Sequence, residues 1–200
     1  MSVLYKTIAK EAEATQIIEK SRFIAHAKSV SSKEEADCFI AEIKQKYKDA
    51  THNVPAYVIG DKMQIQWASD DGEPQGTSGA PIVQMIVNEG LTNICVVVTR
   101  YFGGIKLGTG GLVRAYTSSA KMAILAAGIY EVRDFKTLDF EIAYGLLSRL
   151  QHAEKEMPFE IVNIEYADIL KIKLRFEAEN EQKIVNFLME LTNGNFEKKW

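Results

Sequence analysis

Residues 93–116 join a continuously apolar segment to a glycine-rich one. The run NICVVVT is apolar and β-branched, which predicts a strand buried on both faces of a sheet. The stretch RYFGGIKLGTGGLVRAY, residues 100–116, then places five glycines among two arginines, one lysine and three aromatic residues. Glycine weakens regular elements, so this density indicates a backbone that needs positive φ angles or a close approach to another group. The segment therefore predicts a strand, a glycine loop and a helix N-terminus.

Hydrophobic periodicity places further elements around this junction. The helix after the glycines keeps its apolar spacing up to Gly128, a typical stop. Strands are predicted near residues 5–8, 16–30, 54–59 and 64–68. Ser31 or Ser32 can cap one helix, and another begins at Thr77 or Ser78 and ends near Gly90.

A second pattern starts near Lys136, after the polar joint EVRDFK. Its predicted parts are a strand in TLDFEI, a helix carrying Leu146, Leu150, Ala153 and Met157, strands in FEIVNIEY and ILKIKLRFE, a helix that Asn180 can cap, and a short strand in NFEKKW. The order βαββαβ is that of a ferredoxin-like domain. We therefore expect two domains, residues 1–133 and 134–200.

Alternation along the second sheet leaves charged side chains on one face. The outward residues are Thr137, Asp139 and Glu141 on its first strand and Lys171, Lys173 and Arg175 on its third. These strands are neighbours in a ferredoxin-like order, so acids should face bases. An RNA-reading sheet needs aromatic residues there, and this face has none. A solvated or helix-packed charged face is the expectation.

Composition limits the kinds of partner and the compartment. The formal net charge is −3, which argues against bulk electrostatic binding of nucleic acid. The 15 basic and 14 acidic residues up to position 133 give +1, and the 9 and 13 beyond it give −4. No run of about 18 apolar residues occurs and the N-terminus lacks a signal-peptide core, so we expect a cytoplasmic protein away from membranes. Cys38 and Cys95 lie in apolar-patterned segments and are expected to be buried free thiols.

The glycine stretch allows two interpretations. Loop amides at a helix N-terminus, together with Arg100, Lys106 and Arg114, could hold a phosphate. The segment matches neither the P-loop nor the dinucleotide fingerprint, because GTGGLV has valine at the third glycine position. Alternatively, the glycines allow a close strand-to-helix crossing, with the basic residues paired to an acidic loop.

That acidic loop is ASDDGEPQGTSGAP. Asp70, Asp71 and Glu73 could bind Mg²⁺ or act as acid and base, or they could form a solvated DG turn. An attraction between Asp70 or Asp71 and Arg100 would hold the two loops together without any ligand. His52 is the histidine best placed for acid–base work, although a lone histidine more often has a structural, hydrogen-bonded role.

Several long segments resemble the Impact family, in its bacterial YigZ-like form. They are HNVPAYVIG, SDDGEPQGTSGAPI, VVVTRYFGGIKLGTGGLVRAY and the βαββαβ tail, which together cover nearly the whole chain. The resemblance implies a two-domain α+β protein. Its first domain would be similar to ribosomal protein S5 domain 2, and its second, ferredoxin-like domain to the last domain of elongation factor G. Both similarities imply a link to RNA or the ribosome, and eukaryotic relatives regulate translation.

The resemblance also implies a shared cleft. Its residues would be His52, Asp70, Asp71, Glu73, Thr77, Ser78, Arg100, Tyr101, Gly103, Gly104, Lys106, Gly108, Gly110, Gly111 and Arg114. We expect a binding protein for RNA, the ribosome or a translation-associated protein, with Tyr101 stacking on a base and with no cofactor or assigned catalytic residue. Two alternatives stay open. One is a Mg²⁺-dependent enzyme acting on a small phosphorylated or nucleotide-like substrate with His52 as base, and the other is a protein-interaction module.

Overall fold

The computed structural model describes residues 3–196, which form two compact units. One unit spans residues 4–132, and the other runs from residue 133 onward together with Val3. Both mix helices and strands, so the predicted two-domain α+β class is confirmed. None of the helices within residues 3–196 is long and apolar enough to cross a membrane.

The elements up to residue 133 come in this order. They are β1 (Val3–Ile8), β2 (Ala12–Ile18), β3 (Ser21–Ser29), α1 (Lys33–Lys46), β4 (His52–Ile59), β5 (Ile65–Ala68), α2 (Gly79–Asn88), β6 (Ile94–Tyr101), α3 (Gly108–Ala127) and β7 (Ile129–Arg133). Strands β2 to β6 form one antiparallel sheet in the order β2-β3-β6-β4-β5, while β1 pairs with β7.

The predicted buried strand is β6, at the centre of the five-stranded sheet. Its residues Val96 and Val98 pack into a core shared with α2 and α3, whereas Cys95 and Val97 pack into a second core with α1. All four are fully buried. Helices therefore cover both faces of the sheet, which is why this strand is apolar at every position rather than at alternate ones.

The strands and helices predicted for the first unit are confirmed with small boundary changes, whereas β7 was not predicted. The predicted strand 16–30 is the hairpin β2–β3, whose turn residues Glu19 and Lys20 have positive φ angles. Ser32 caps α1, and α2 has Ser78 at its N-cap position. One thiol expectation is wrong. Cys95 is buried, but Cys38 is exposed on α1, because α1 buries only the face that carries Phe39, Ile40 and Ile43.

The second unit is a three-stranded antiparallel sheet covered by helices. Its elements are β8 (Phe135–Ile142), a 3-10 turn (Tyr144–Leu146), α4 (Leu147–Ala153), β9 (Phe159–Tyr166), β10 (Leu170–Glu177), a 3-10 turn (Ala178–Asn180) and α5 (Glu181–Leu191). The strand order is β8-β10-β9. The core joins alternate residues of β8 and β10, such as Phe140 and Leu174, to Leu150 of α4 and Leu188 of α5.

The opposite face of this sheet carries the predicted charges. Lys173 lies opposite Asp139 in the β8–β10 register, 3.5 Å from it, and Lys171 lies opposite Glu141. Arg175 pairs instead with Glu160 of β9. The expected meeting of acids and bases across neighbouring strands is confirmed.

Three details of the second unit differ from the expectation. The polar joint EVRDFK contains the end of β7 and the start of β8 instead of a loop. Met157 lies beyond the end of α4, although it still packs against the core. The strand expected in NFEKKW falls mostly outside the described residues, and Asn195 and Phe196 are not in a strand.

Candidate functional site

The site lies at one end of the five-stranded sheet of the first unit. His52 begins β4 and pairs in register with Arg100, near the end of β6. The loop of residues 69–78 leads into α2 beside them, and the glycine loop leads from β6 into α3. The two motifs singled out in the sequence therefore meet at this edge.

Glu73 is the centre of a buried hydrogen-bond network. Its Oε1 accepts from Nη1 of Arg100 at 2.7 Å and from the hydroxyl of Tyr116, on α3, also at 2.7 Å. Burial, and then the bond to Glu73, raise the pKa of Tyr116, so the phenol stays protonated and donates. The side chains of Glu73 and Arg100 are only 4% and 5% exposed, and such a buried pair is strongly destabilised when one partner is removed.

Arg100 also connects the network to the β2–β3 hairpin. Its Nη2 donates to Oγ of Ser21 at 3.3 Å, and the same oxygen accepts from the backbone N–H of Gly103 at 3.1 Å. A Cβ added to Gly103 would lie 2.0 Å from the carbonyl carbon of Lys20. Gly103 is therefore glycine because two backbone segments touch there.

Asp71 holds the acidic loop against α1 and β4. Its Oδ1 lies 2.6 Å from Nζ of Lys44, and its Oδ2 accepts from the backbone N–H of Asn53 at 2.7 Å. Its carbonyl oxygen is 2.8 Å from Nδ1 of His52. These contacts fix the orientation of the His52 ring.

Asp70 caps helix α2. Its Oδ1 accepts from the hydroxyl of Ser78 at 2.7 Å and from the N–H of Gly79 at 2.9 Å, while its Oδ2 accepts from Gly76 at 2.8 Å. Burial acts to raise the pKa of Asp70, but the hydrogen bonds outweigh it and the pKa is lowered. Thr77 is also engaged, since its hydroxyl donates to the carbonyl of Pro74.

The acidic loop does not fit a magnesium ion. Asp70 points to the start of α2, Asp71 to Lys44 and β4, and Glu73 to Arg100 and Tyr116. No group of three His, Cys, Asp or Glu side chains within residues 3–196 is arranged to hold a metal. The carboxylates thus serve separate structural partners, and no reaction step through a metal follows from them.

A pocket of about 440 Å³ opens beside this network. Its lining residues are Thr51, His52, Glu73, Pro74, Arg100, Phe102, Lys106, Leu107, Gly108, Thr109 and Leu112. The volume lies within the range of about 300–1,000 Å³ typical of small-molecule sites. The pocket thus brings together the start of β4, the acidic loop, the end of β6 and the start of α3.

The α3 end of the pocket is rich in unused hydrogen-bond donors. Ser32 caps α1 and Asp70 caps α2, whereas no side chain caps the 20-residue helix α3 and no acidic residue lies in its first turn. The N–H groups of that first turn have no intrahelical acceptor. Arg100 is 4% exposed, yet its Nε has no hydrogen-bond partner among the described residues. Lys106 is exposed beside them.

Comparison with known proteins covers both units of the chain. The profile of the Impact N-terminal domain matches residues 19–124, which contain the whole pocket, and a domain of unknown function, DUF1949, matches residues 140–195. The IMPACT family member YvyE of Bacillus subtilis is 39% identical over 195 residues, 98% of this chain and 90% of the relative. The chain belongs to the Impact family.

Another relative and two solved structures resemble the chain to different degrees. The family member YigZ of Escherichia coli is 30% identical over 90% of this chain and 89% of its own length. A crystal structure described as that of a hypothetical protein is 28% identical, with a TM-score of 0.63 over 97% of this chain and 95% of that one. Yih1, described as a two-domain translational regulator, is 26% identical over 62% of this chain and 47% of its own, with a TM-score of only 0.38.

The Impact-family residues predicted for the site fall into two groups. Those that line the pocket are His52, Glu73, Arg100, Lys106 and Gly108. The others surround it or lie apart from it: Asp70, Asp71, Thr77, Ser78, Tyr101, Gly103, Gly104, Gly110, Gly111 and Arg114. Tyr101 bonds to Asp49 and carries Arg22 against its ring, so it does not line the pocket, whereas its neighbour Phe102 does.

Sequence reasoning missed several residues of this Impact-family site. Those not predicted as part of it are Ser21, Lys44 and Tyr116 of the hydrogen-bond network and Thr51, Pro74, Phe102, Leu107, Thr109 and Leu112 of the pocket lining. The alternation and spacing of the sequence assign Tyr116 to the apolar face of α3, and it is fully buried there. A signal was nevertheless present, because a buried tyrosine hydroxyl normally finds a hydrogen-bond partner. The expected pairing of Asp70 or Asp71 with Arg100 is replaced by the longer Glu73, which reaches it directly.

Proposed function

We propose that this Impact-family chain is a non-enzymatic, cytoplasmic RNA-binding protein linked to the regulation of translation, and that its pocket holds a phosphate group of the RNA. The family resemblance to ribosomal and elongation-factor domains supports the link to translation. Fold similarity alone does not fix a function, so the specific proposal rests on the pocket.

The observation that carries the proposal is the set of unused donors at the α3 end of the pocket. The first turn of α3 has no capping side chain, and the helix dipole favours an anion at that position. Lys106 supplies an exposed positive charge in the same pocket. A phosphate has enough oxygens to accept from the first-turn N–H groups of α3 and from Lys106.

The charge balance of the pocket favours an anion. Glu73 lines the pocket too, but its carboxylate faces the Arg100 guanidinium at 2.7 Å, so these two charges offset each other. No ion pair of Lys106 occurs within residues 3–196. The remaining charge is therefore positive, and it comes from Lys106 and from the start of α3.

RNA binding by this pocket is tested with a charge reversal that leaves the buried network intact. Lys106→Glu changes an exposed side chain, whereas Arg100→Ala would leave Glu73 buried without its partner and disturb the fold. We expect Lys106→Glu to weaken binding of a labelled single-stranded RNA, measured by fluorescence anisotropy at low salt, at least tenfold. Co-sedimentation with ribosomes should fall in parallel.

A matched control is Lys62→Glu, which makes the same charge change in the turn between β4 and β5, at the other end of β4. It should bind RNA like the wild type. Equal RNA affinity of Lys106→Glu, Lys62→Glu and wild type, with all three folded by circular dichroism, would remove the pocket from the RNA-binding surface.

A further inference from the structure

His52 presents an unused nitrogen to the pocket. Its Nδ1 lies 2.8 Å from the carbonyl oxygen of Asp71. A carbonyl oxygen can only accept, so Nδ1 carries a proton, and in the neutral ring Nε2 keeps its lone pair. Only 18% of the side chain is exposed, and the residue lines the pocket. The neutral ring thus presents Nε2 as a hydrogen-bond acceptor in a fixed orientation.

A second acceptor faces the first. Oε1 of Glu73 lies 3.8 Å from Nε2 of His52, which is too long for a hydrogen bond. The donors that do reach Glu73, Arg100 and Tyr116, both bond to Oε1, and Oε2 accepts no hydrogen bond from the described residues. The pocket therefore offers the acceptors of His52 and Glu73 as well as the unused donors of Lys106 and of the start of α3.

This polarity specifies the chemistry of the ligand. The acceptors of His52 and Glu73 can bind hydroxyl or amine donors. An ammonium group would be repelled by Lys106 and by the start of α3. Two adjacent neutral hydroxyls can each donate to one acceptor. A group that carries vicinal hydroxyls near a phosphate supplies hydrogen bonds to the acceptors and accepts them from the donors.

We propose that the pocket binds a ribonucleotide whose 2′ and 3′ hydroxyls are both free, with these hydroxyls donating to His52 and Glu73. The inference rests on the proposed function, because the same ligand places its phosphate at Lys106 and the start of α3. The exposed ring of Phe102, 47% accessible, lines the pocket and provides a surface for the base. A volume of about 440 Å³ suits one nucleotide. An RNA 3′ end and a free nucleoside monophosphate share this chemistry.

The inference is tested by changing single hydroxyls of the ligand. Three short RNAs of one sequence are compared by anisotropy: one with a free 3′ end, one with a 2′-deoxy terminal residue and one with a 3′-phosphate. We expect the free 3′ end to bind roughly tenfold more tightly than either, the effect of one or two hydrogen bonds to a polar site. His52→Leu should remove the preference over the 2′-deoxy form and leave binding of that form unchanged. His152→Leu, a matched change of an exposed histidine in the second unit, should keep the preference.

The two proposals fail in different ways. Equal affinity of wild type for all three RNAs, with Lys106→Glu still weakening each of them, would overturn the ribose inference and leave the phosphate site standing. RNA binding that is insensitive to Lys106→Glu would overturn the proposed function and, with it, the inference. Competition with adenosine monophosphate separates the two ligand sources: displacement at similar concentration indicates a free nucleotide, and much weaker displacement indicates an RNA 3′ end.

Discussion

At the scale of single residues, Glu73 connects parts of the chain that are far apart in sequence. It bonds to Arg100, 27 positions away, and to Tyr116, 43 positions away. Both partners are buried, so water does not reach them to take over the hydrogen bonds of the Glu73 carboxylate. The same residue faces the pocket, so the stability of the network and the shape of the pocket depend on one side chain.

Glu73→Gln removes the charge and keeps the size of the side chain. We expect it to lower the free energy of unfolding by about 3 kcal/mol, because Arg100 is left as an uncompensated buried charge. Glu160→Gln breaks the exposed pair with Arg175 and should cost about 1 kcal/mol or less. Urea denaturation of the two variants checks this, and similar losses for both would contradict a special role for the buried pair.

Alanine substitutions at two glycines, one in the loop and one in α3, should change stability in opposite directions. Gly103→Ala places a Cβ against the Lys20 backbone and should destabilise the protein by about 1–3 kcal/mol. At Gly110, in the first turn of α3, an added Cβ would meet only Nη1 of Arg114, at 3.8 Å. Gly110→Ala should therefore stabilise the protein by about 0.5–1 kcal/mol through helix propensity. Thermal or urea unfolding measures the change in stability of each variant. A loss of stability in Gly110→Ala would contradict the second expectation.

At the scale of elements, the start of α2 depends on a residue outside the helix. Asp70 accepts hydrogen bonds from Gly76, Ser78 and Gly79, so the acidic loop folds back to cap α2. Asp70→Ala should cost about 1–2 kcal/mol of unfolding free energy. Asp61→Ala, in the exposed turn after β4, is the matched control and should change little. Equal effects in chemical denaturation would argue against the cap.

The pairing of β2 with β3 makes stability depend on pH. His26 is buried opposite Glu13, and burial lowers the pKa of His26 below its ordinary 6.5 despite the attraction of Glu13. The folded state therefore binds fewer protons than the unfolded state, and stability is full above pH 6.5 and falls as the pH drops below it. We expect the pH 5–6.5 loss in wild type to be reduced in His26→Gln and retained in His152→Gln. Urea midpoints measured across this range check the slope, and an unchanged slope in His26→Gln would contradict it.

At the scale of the whole molecule, net charge limits how the protein can bind RNA. The formal net charge is −3, and the outward face of the second sheet pairs its acids with its bases. RNA binding through one pocket should neutralise one or two phosphates. The slope of log K against log salt should then be about −0.7 to −1.4 for single-stranded RNA. A slope near −4 in an anisotropy salt series would point to a wide basic surface instead.

The sequence alone determined most of the elements and the two-domain α+β class. Continuous β-branched residues in NICVVVT require a strand covered on both sides, and β6 has helices on both faces. Clean alternation in TLDFEI and ILKIKLRFE sets which face of the second sheet is charged, because side chains alternate strictly along a strand. Such local periodicities depend only on near neighbours in the chain.

Only the tertiary structure decided which partners the site residues take. From the sequence, the acidic and glycine-rich loops are predicted to meet. The sequence does not show which partner each of Asp70, Asp71 and Glu73 takes, because they are similar carboxylates within four positions. The fold assigns Asp70 to α2, Asp71 to Lys44 and β4, and Glu73 to Arg100 and Tyr116. The physical reason is that a hydrogen bond is sensitive to changes of a few tenths of an ångström in the distance between donor and acceptor. Local sequence patterns do not encode such distances between segments that are far apart in the chain.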